Sequence, residues 1–206
     1  LIILFGDVDT TLASSITSSK KNFISIHVEA GLRSKDYKSQ EEINRRIVDH
    51  LSDINFCTTK KSLKNLENEG LKNRSYLVGN IIFDNYFHLK DKINKSNLIK
   101  KLSLLKNNFI LITIHRYQTI NSKNNLKKIC NLLNNYSKKF PVVFSCHTRT
   151  KKNLKKFKLF NNISKNIKII SPLKYTDFTN LLINSKLVVT DSGGVHEEAF
   201  FHKKKC

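Results

Sequence analysis

The sequence predicts an α/β fold built on parallel sheets, and three observations carry that expectation. Eight short apolar, β-branched runs recur along the 206 residues, amphipathic segments of helical period separate them, and only six Gly and two Pro interrupt the pattern. Strands that alternate with helices cannot return by tight hairpins, so each crossover makes the next strand parallel and packs helices on both faces of a sheet. The strand runs are Leu1 to Phe5, Phe23 to Val28, Ile54 to Thr58, Tyr76 to Val78, Phe109 to Ile114, Val142 to Cys146, Ile167 to Ile170 and Leu187 to Thr190. Between the second and third, the stretch from Glu42 to Leu51 puts Ile43, Ile47 and Leu51 on one helical face at i, i+4 and i+8. The Lys- and Asn-rich stretch from Phe87 to Asn108 has no strand signal and separates four βα units from four more. That places a boundary near residue 100, with one doubly wound domain over 1–100 and a second over 101–206. In such sheets ligands bind beyond the carboxyl ends of the strands, so the residues just after each run are the candidates for chemistry.

Composition narrows the functional classes. The chain carries 37 Lys plus Arg against 16 Asp plus Glu, a formal charge of +21. Such an excess invites a nucleic-acid reading, but only six cations are Arg, and the lysines alternate with Asn on solvated helix faces, as in Lys123-Asn124-Asn125-Leu126-Lys127-Lys128. No aromatic-interleaved RNA-binding signature or zinc-finger spacing accompanies them. Weak attraction to polyanions is expected, and a specific nucleic-acid partner is not. No apolar run approaches the ~18 residues of a membrane helix, so no membrane insertion is expected. Cys57, Cys130, Cys146 and Cys206 form no CxxC pair. Reduced thiols and the absence of a leader-like opening fit a cytoplasmic protein. The chain also begins and stops inside apparent structural elements, as a piece of a longer protein would.

Acids gather at the exits of the early runs. Leu1 to Phe5 leads into Gly6-Asp7-Val8-Asp9-Thr10-Thr11, where Asp9 or Thr10 would serve as a helix cap. Phe23 to Val28 leads into Glu29-Ala30-Gly31-Leu32-Arg33, and Glu41-Glu42 opens the helix bearing Asn44, Arg45 and Arg46. Cations gather at the later exits: His115-Arg116 after the fifth run and His147-Thr148-Arg149 after the sixth. The last run ends in Thr190-Asp191-Ser192-Gly193-Gly194-Val195-His196-Glu197-Glu198. A strand that breaks into Ser-Gly-Gly and starts a helix offers free N–H groups and a positive dipole end to an anion. Glu198 comes one turn later, where a carboxylate can accept ribose hydroxyls.

In order and spacing these segments resemble the non-hydrolysing UDP-N-acetylglucosamine 2-epimerases. The matching stretches are Gly6 to Ala13, His27 to Ser34, Glu41 to Arg45, Val78-Gly79-Asn80, Thr113 to Arg116 and Thr190 to Ala199. The resemblance implies two Rossmann-like domains in the glycosyltransferase-B arrangement, truncated at both ends. Residues 1–100 would be the C-terminal part of the first domain, and 101–206 the N-terminal part of the second, UDP-binding one. It further implies inversion at C2 of a UDP-sugar by anti elimination of UDP and syn re-addition, without a cofactor or metal. By the same resemblance, Asp7, Glu29 and Glu41 correspond to the proton-transferring acids and His115 to the histidine at the reacting sugar and phosphate. Ser192, Gly193 and Gly194 correspond to the diphosphate loop, Glu198 to the ribose contact and Phe178 to the residue beside uracil. Arg116, His147 and Arg149 complete the expected substrate-binding set. A homodimer is expected for the full-length protein. Alternatives are an epimerase of a related UDP-diacetamido sugar, a hydrolysing 2-epimerase, and an inactive fragment that only binds nucleotide.

Overall fold

The computed structural model describes residues 1–206 as two compact units, Leu1–Asp84 and Asn85–Cys206. The first unit runs β1 (Ile2–Phe5), α1 (Asp9–Lys20), β2 (Ser25–Ala30), α2 (Gln40–Leu51), β3 (Ile54–Cys57), α3 (Lys60–Asn68) and β4 (Ser75–Leu77). The helix α4 (Ile81–Asn94) leads into the second unit. Next come α5 (Leu98–Lys101), β5 (Ile110–Thr113), α6 (Tyr117–Ile120), α7 (Lys123–Ser137), β6 (Val142–Ser145), α8 (Thr148–Lys156), β7 (Ile167–Ile170), α9 (Tyr175–Asn184), β8 (Leu187–Thr190) and α10 (Gly193–Phe201). All eight expected strands form, in two four-stranded, all-parallel sheets.

The division between units falls before the expected residue 100, because the Lys/Asn-rich stretch packs onto the helices and strands of the second unit. Ile93 is fully buried and its carbonyl accepts the Asn180 amide at 2.8 Å. Ser96 donates to Asp177 at 2.5 Å, and Leu98, Ile99 and Leu102 cover Leu104, Phe109 and Leu181.

The strand order in the first unit is β1-β2-β3-β4. Strands that advance in one direction through right-handed crossovers put α1, α2 and α3 on one face. The register places Leu4, His27 and Asn55 in one row, all buried, so this helix-covered face holds polar side chains. Its opposite carries Ile3 and Phe5, both about half exposed, and the row continues through Tyr76. The helix α2 is inverted in the same sense: Glu42, Asn44, Val48 and Asp49 are buried, whereas Ile43 and Ile47 of the apolar stripe are exposed. Burying carboxylates instead of isoleucines is tolerated because both buried acids meet a cation or an N–H donor: Glu42 holds Arg45 and Arg46, and Asp49 holds Arg33 and the Gly31 N–H.

The second unit has the ordinary pattern. Its order is β7-β6-β5-β8, so the chain winds outward from β5 to β7 and then crosses back to β8. Successive β5 residues face opposite sides. Ile110 and Ile112 join one apolar cluster with Leu126, Leu133, Phe144 and Leu154, while Leu111 joins another with Phe109, Val143, Leu181, Leu182 and Val188. Helices therefore cover both faces, and the reversal of winding between β5 and β8 opens a crevice at their carboxyl ends.

Candidate active site

In the first unit the candidate acids stand at two neighbouring strand exits. Phe5 pairs with Val28, so Gly6 and Glu29 leave the sheet side by side. The β2–β3 register shifts between Val28 and Ala30, and Glu29 lies in this bulge with φ +72°. A left-handed non-glycine residue costs on the order of 1 kcal/mol, and such strain concentrates where a side chain must be aimed. Gly31 shares the turn at φ +78°, and a Cβ there would lie 2.4 Å from the Ser62 carbonyl oxygen, which is why the motif requires glycine.

Asp7 is anchored from α2. Arg45 pairs with its carboxylate, and the Asn44 amide donates to the Asp7 carbonyl and to Asp9, each at 2.9 Å. Neither expected cap operates: the N-cap of α1 is Val8, without a side-chain bond, because Asp9 and Thr10 both lie inside the helix, where Asp9 accepts the Asn44 amide. Glu41 lies in the first turn of α2, exposed, and accepts the Ser39 hydroxyl at 3.3 Å. Its neighbour Glu42 points inward and receives the Ser34 N–H at 2.8 Å, Arg45 at 3.1 Å and Arg46 at 2.9 Å. Burial alone would push the Glu42 carboxyl up, but the Ser34 donors and Arg46 outweigh it and hold the group below the usual carboxylate range.

These pairs belong to a closed circuit. Arg46 lies 3.5 Å from Glu69, and Arg33 holds Glu69 through two bonds of 2.8 and 2.6 Å. Arg33 also donates to Asp49 at 2.7 Å, and His27 Nδ1 stands 2.7 Å from the same carboxylate. His27 Nε2 then reaches the Gly6 carbonyl at 3.0 Å, one residue from Asp7. Bonding to Arg33 lowers Glu69's pKa, while Glu69 and Asp49 raise that of Arg33 against its burial. Asp49 additionally takes the Gly31 N–H at 3.2 Å, so one buried carboxylate braces the turn after Glu29. The circuit fixes the exits of β1 and β2 against α2. No network of this kind is visible in the local sequence, since outside the pairs within α2 its partners are separated by 8 to 38 residues.

In the second unit the candidate cations sit at the carboxyl ends of β5, β6 and β8, which are adjacent. Asp191 accepts the N–H groups of His115 and Arg116, both at 2.9 Å, and lies 3.4 Å from His115 Nδ1. His147 caps α8, its Nδ1 accepting the Arg149 N–H at 3.2 Å, and its ring centre lies 6.1 Å from that of His115. Arg116 and Arg149 are exposed. Ser192 caps α10 by accepting the Val195 N–H, and Gly193 and Gly194 are exposed with nothing within 4 Å of the position a Cβ would take. Their first-turn N–H groups have no partner within the helix, so they and the helix dipole face a space suited to an anion. Further along α10, Glu198 accepts the Thr179 hydroxyl of α9 at 3.3 Å. Burial pushes its carboxyl above the usual range, partly offset by Thr179. Phe178, next to Thr179, is partly buried against the second apolar cluster.

The structure thus gathers Asp7 and Glu29 at one pair of exits and His115, Arg116, His147, Arg149, Ser192, Gly193 and Gly194 at another set. Arg45, Asn44, Asp49, His27 and Asp191 were not among the expected site residues. All but Asp49 lie inside the matching stretches, and that adjacency was the available signal. No group of three or more His, Cys, Asp or Glu is placed to hold a metal ion, and no helix is long and apolar enough to cross a membrane. Chemically, the first set can move protons and the second can bind a polyphosphate.

Comparison with known proteins identifies the family. A UDP-N-acetylglucosamine 2-epimerase homolog of Methanococcus maripaludis is 40% identical over 210 residues, covering all of this chain and 58% of the relative. A UDP-2,3-diacetamido-2,3-dideoxy-D-glucuronate 2-epimerase of Pseudomonas aeruginosa is 34% identical, covering all of this chain and 57% of the relative. Among solved structures, the Methanocaldococcus jannaschii UDP-GlcNAc 2-epimerase in complex with UDP-GlcNAc and UDP is 38% identical with a TM-score of 0.87, covering all of this chain and 59% of that one. The chain therefore spans somewhat more than half the length of the proteins it matches. The sequence profile described as UDP-N-acetylglucosamine 2-epimerase matches residues 1–206, and the chain belongs to that family.

Proposed function

We propose that the protein is a UDP-N-acetylglucosamine 2-epimerase. The observation that carries this reading is Glu29, a carboxylate in a left-handed bulge beside the exit bearing Asp7. A nucleotide-binding or glycosyl-transferring relative would need the anion loop but not a second acid aimed at such cost. In the proposed reaction one carboxylate removes the C2 proton as the C1–O bond to UDP breaks, giving UDP and a 2-acetamidoglucal. UDP then re-adds at C1, and C2 takes a proton on its opposite face. Asp7, Glu29 and Glu41 are the proposed proton-transfer groups, and His115 attends the sugar and phosphate. Arg116, His147 and Arg149, with Ser192 and the N–H groups of Gly193 and Gly194, offset the charge of the departing diphosphate. Glu198 receives the ribose hydroxyls and Phe178 flanks uracil.

The Pseudomonas relative keeps a UDP-diacetamido-uronate as the second substrate reading. We place the activity in the cytoplasm and in a homodimer, for which the exposed Ile43 and Ile47 stripe of α2 is the supporting surface. The test joins this chain to the remaining length of the Methanocaldococcus jannaschii relative and monitors UDP-GlcNAc by proton NMR in heavy water. The chimera is expected to form the C2 epimer and to take deuterium at C2. Asp7→Asn and Glu29→Gln are each expected to slow exchange ~10²-fold or more while UDP still binds. A folded, UDP-binding chimera that neither interconverts the sugars nor exchanges C2 contradicts the proposal.

A further inference from the structure

We infer that Asp191 is a positioning residue that sets the ring and backbone of His115 and locks the β5 exit to the anion loop after β8. The inference rests on the reading of this crevice as a diphosphate site. A carboxylate among His115, Arg116, His147 and Arg149 would repel a diphosphate if it faced one. Asp191 is only 16% exposed, and both its oxygens are engaged from behind: Oδ1 takes the His115 N–H at 2.9 Å, and Oδ2 takes those of His115 and Arg116 at 3.1 and 2.9 Å. Its charge is spent on two backbone donors 75 and 76 residues away. Those bonds tie the two strands that flank the reversal of winding, continuing the Thr113–Thr190 pairing beyond the sheet.

The same carboxylate faces His115 Nδ1 at 3.4 Å. In a neutral imidazole one nitrogen carries hydrogen, and the acceptor beside it decides which. As the acceptor nearest Nδ1, Asp191 favours the Nδ1–H form, which leaves Nε2, at the far edge of the ring, as the lone-pair nitrogen. Immediately after Asp191 comes Ser192, whose N–H is held by the Thr190 hydroxyl at 3.0 Å and whose side chain caps α10. The histidine and the N–H groups of Gly193 and Gly194 are thus carried by two strand exits that Asp191 ties together. A polyphosphate meets a preset array and no ordering of two loops is needed.

The test uses the 206-residue chain, labelled with 15N, at pH 8, where an ordinary imidazole is neutral. Long-range 1H–15N spectra of the parent are expected to show His115 as the Nδ1–H form, and hydrogen exchange to show protected His115 and Arg116 amides. A predominantly Nε2–H ring in the parent overturns the inference. Asp191→Asn is expected to shift the ring toward Nε2–H and to speed exchange of both amides at least tenfold, with the melting of the second unit retained; an unchanged ring and unchanged amides overturn it. UDP affinity, read by calorimetry, is expected to fall about tenfold in Asp191→Asn and in His115→Gln, and no further in the double variant, because both remove one device. Additive losses would mean that Asp191 acts independently of His115, which overturns the inference. If the parent does not bind UDP, the nucleotide reading fails, and the ring and amide spectra still decide the role of Asp191.

Discussion

Replacing Glu42 by Gln tests whether the buried charge circuit holds the first unit together. The side chain is fully buried, and three donors that cannot reverse surround it: the Ser34 N–H and Arg45 on one oxygen, Arg46 on the other. An amide in the same place can accept on one side only. Its NH2 must then confront Arg46, or else Ser34 and Arg45. Breaking one partner of a buried ion pair costs about 3–5 kcal/mol, because the opposite charge stays behind. Arg46 is a third exposed and can swing toward water, whereas Arg45 is 12% exposed and cannot, so the lower part of that range applies. A loss of about 3 kcal/mol is a large share of a typical reserve of ~5–15 kcal/mol. It corresponds to on the order of 10²-fold faster hydrogen exchange through global opening. The pH dependence has a definite sign. Because the Glu42 carboxyl is held below its ordinary value, its contribution is complete above the unfolded value near 4.5 and fades as pH falls through the lowered folded value. The difference between parent and variant should therefore be full at pH 7 and shrink in acid. Hydrogen exchange read by mass spectrometry over residues 25–57, with urea midpoints from pH 7 down to 3.5, measures both. Parent-like protection over that segment in Glu42→Gln would refute the reasoning.

Three further outcomes are expected. Gly31→Ala should lower the stability of the first unit by about 2–5 kcal/mol in urea, combining left-handed strain at φ +78° with a Cβ driven to 2.4 Å from the Ser62 carbonyl oxygen; a midpoint within error of the parent would show that the turn relaxes freely. Gly193→Val should leave melting within ~0.5 kcal/mol, since open space surrounds the position, yet weaken UDP at least ~tenfold by filling the anion space; unchanged affinity in calorimetry contradicts it. Glu198→Gln should be more stable than the parent near pH 8: the parent's carboxyl is raised by burial, so its contribution is present in acid and lost as pH rises through the folded value, and superimposable pH profiles would contradict this.

Much of the fold is legible in the sequence because β-branched apolar runs have few other uses, and all eight form strands. The strand–loop–helix at Ser192-Gly193-Gly194 is legible for a similar reason, since a glycine pair after a strand has a geometry of its own. The buried side of α2 is not. Periodicity singles out Ile43, Ile47 and Leu51, but the helix buries Glu42, Asn44 and Asp49, whose partners Ser34, His27 and Arg33 come from distant positions. Hydrophobic patterning assumes that charge belongs in water, and an ion-paired interior reverses that assumption. Glu29 illustrates a second limit. The family resemblance pointed to proton transfer there, but nothing local marks a glutamate for the left-handed region, because the register shift beside β3 creates that conformation. Asp191 reads locally as the residue before a helix cap, and its function resides in two N–H groups on another strand.

The most direct test of the central claim, that this chain carries the nucleotide-diphosphate site of an epimerase, is a UDP titration of the 15N-labelled protein. Amides of His115, Arg116, Gly193, Gly194, Val195 and Glu198 are predicted to shift together and to saturate, with the response retained in about 0.3 M salt, where exposed charges are largely screened. Shifts confined to lysine-rich segments such as Lys203-Lys204-Lys205 and abolished by that salt would reduce the interaction to the general attraction of a +21 protein for polyanions, and would contradict the account.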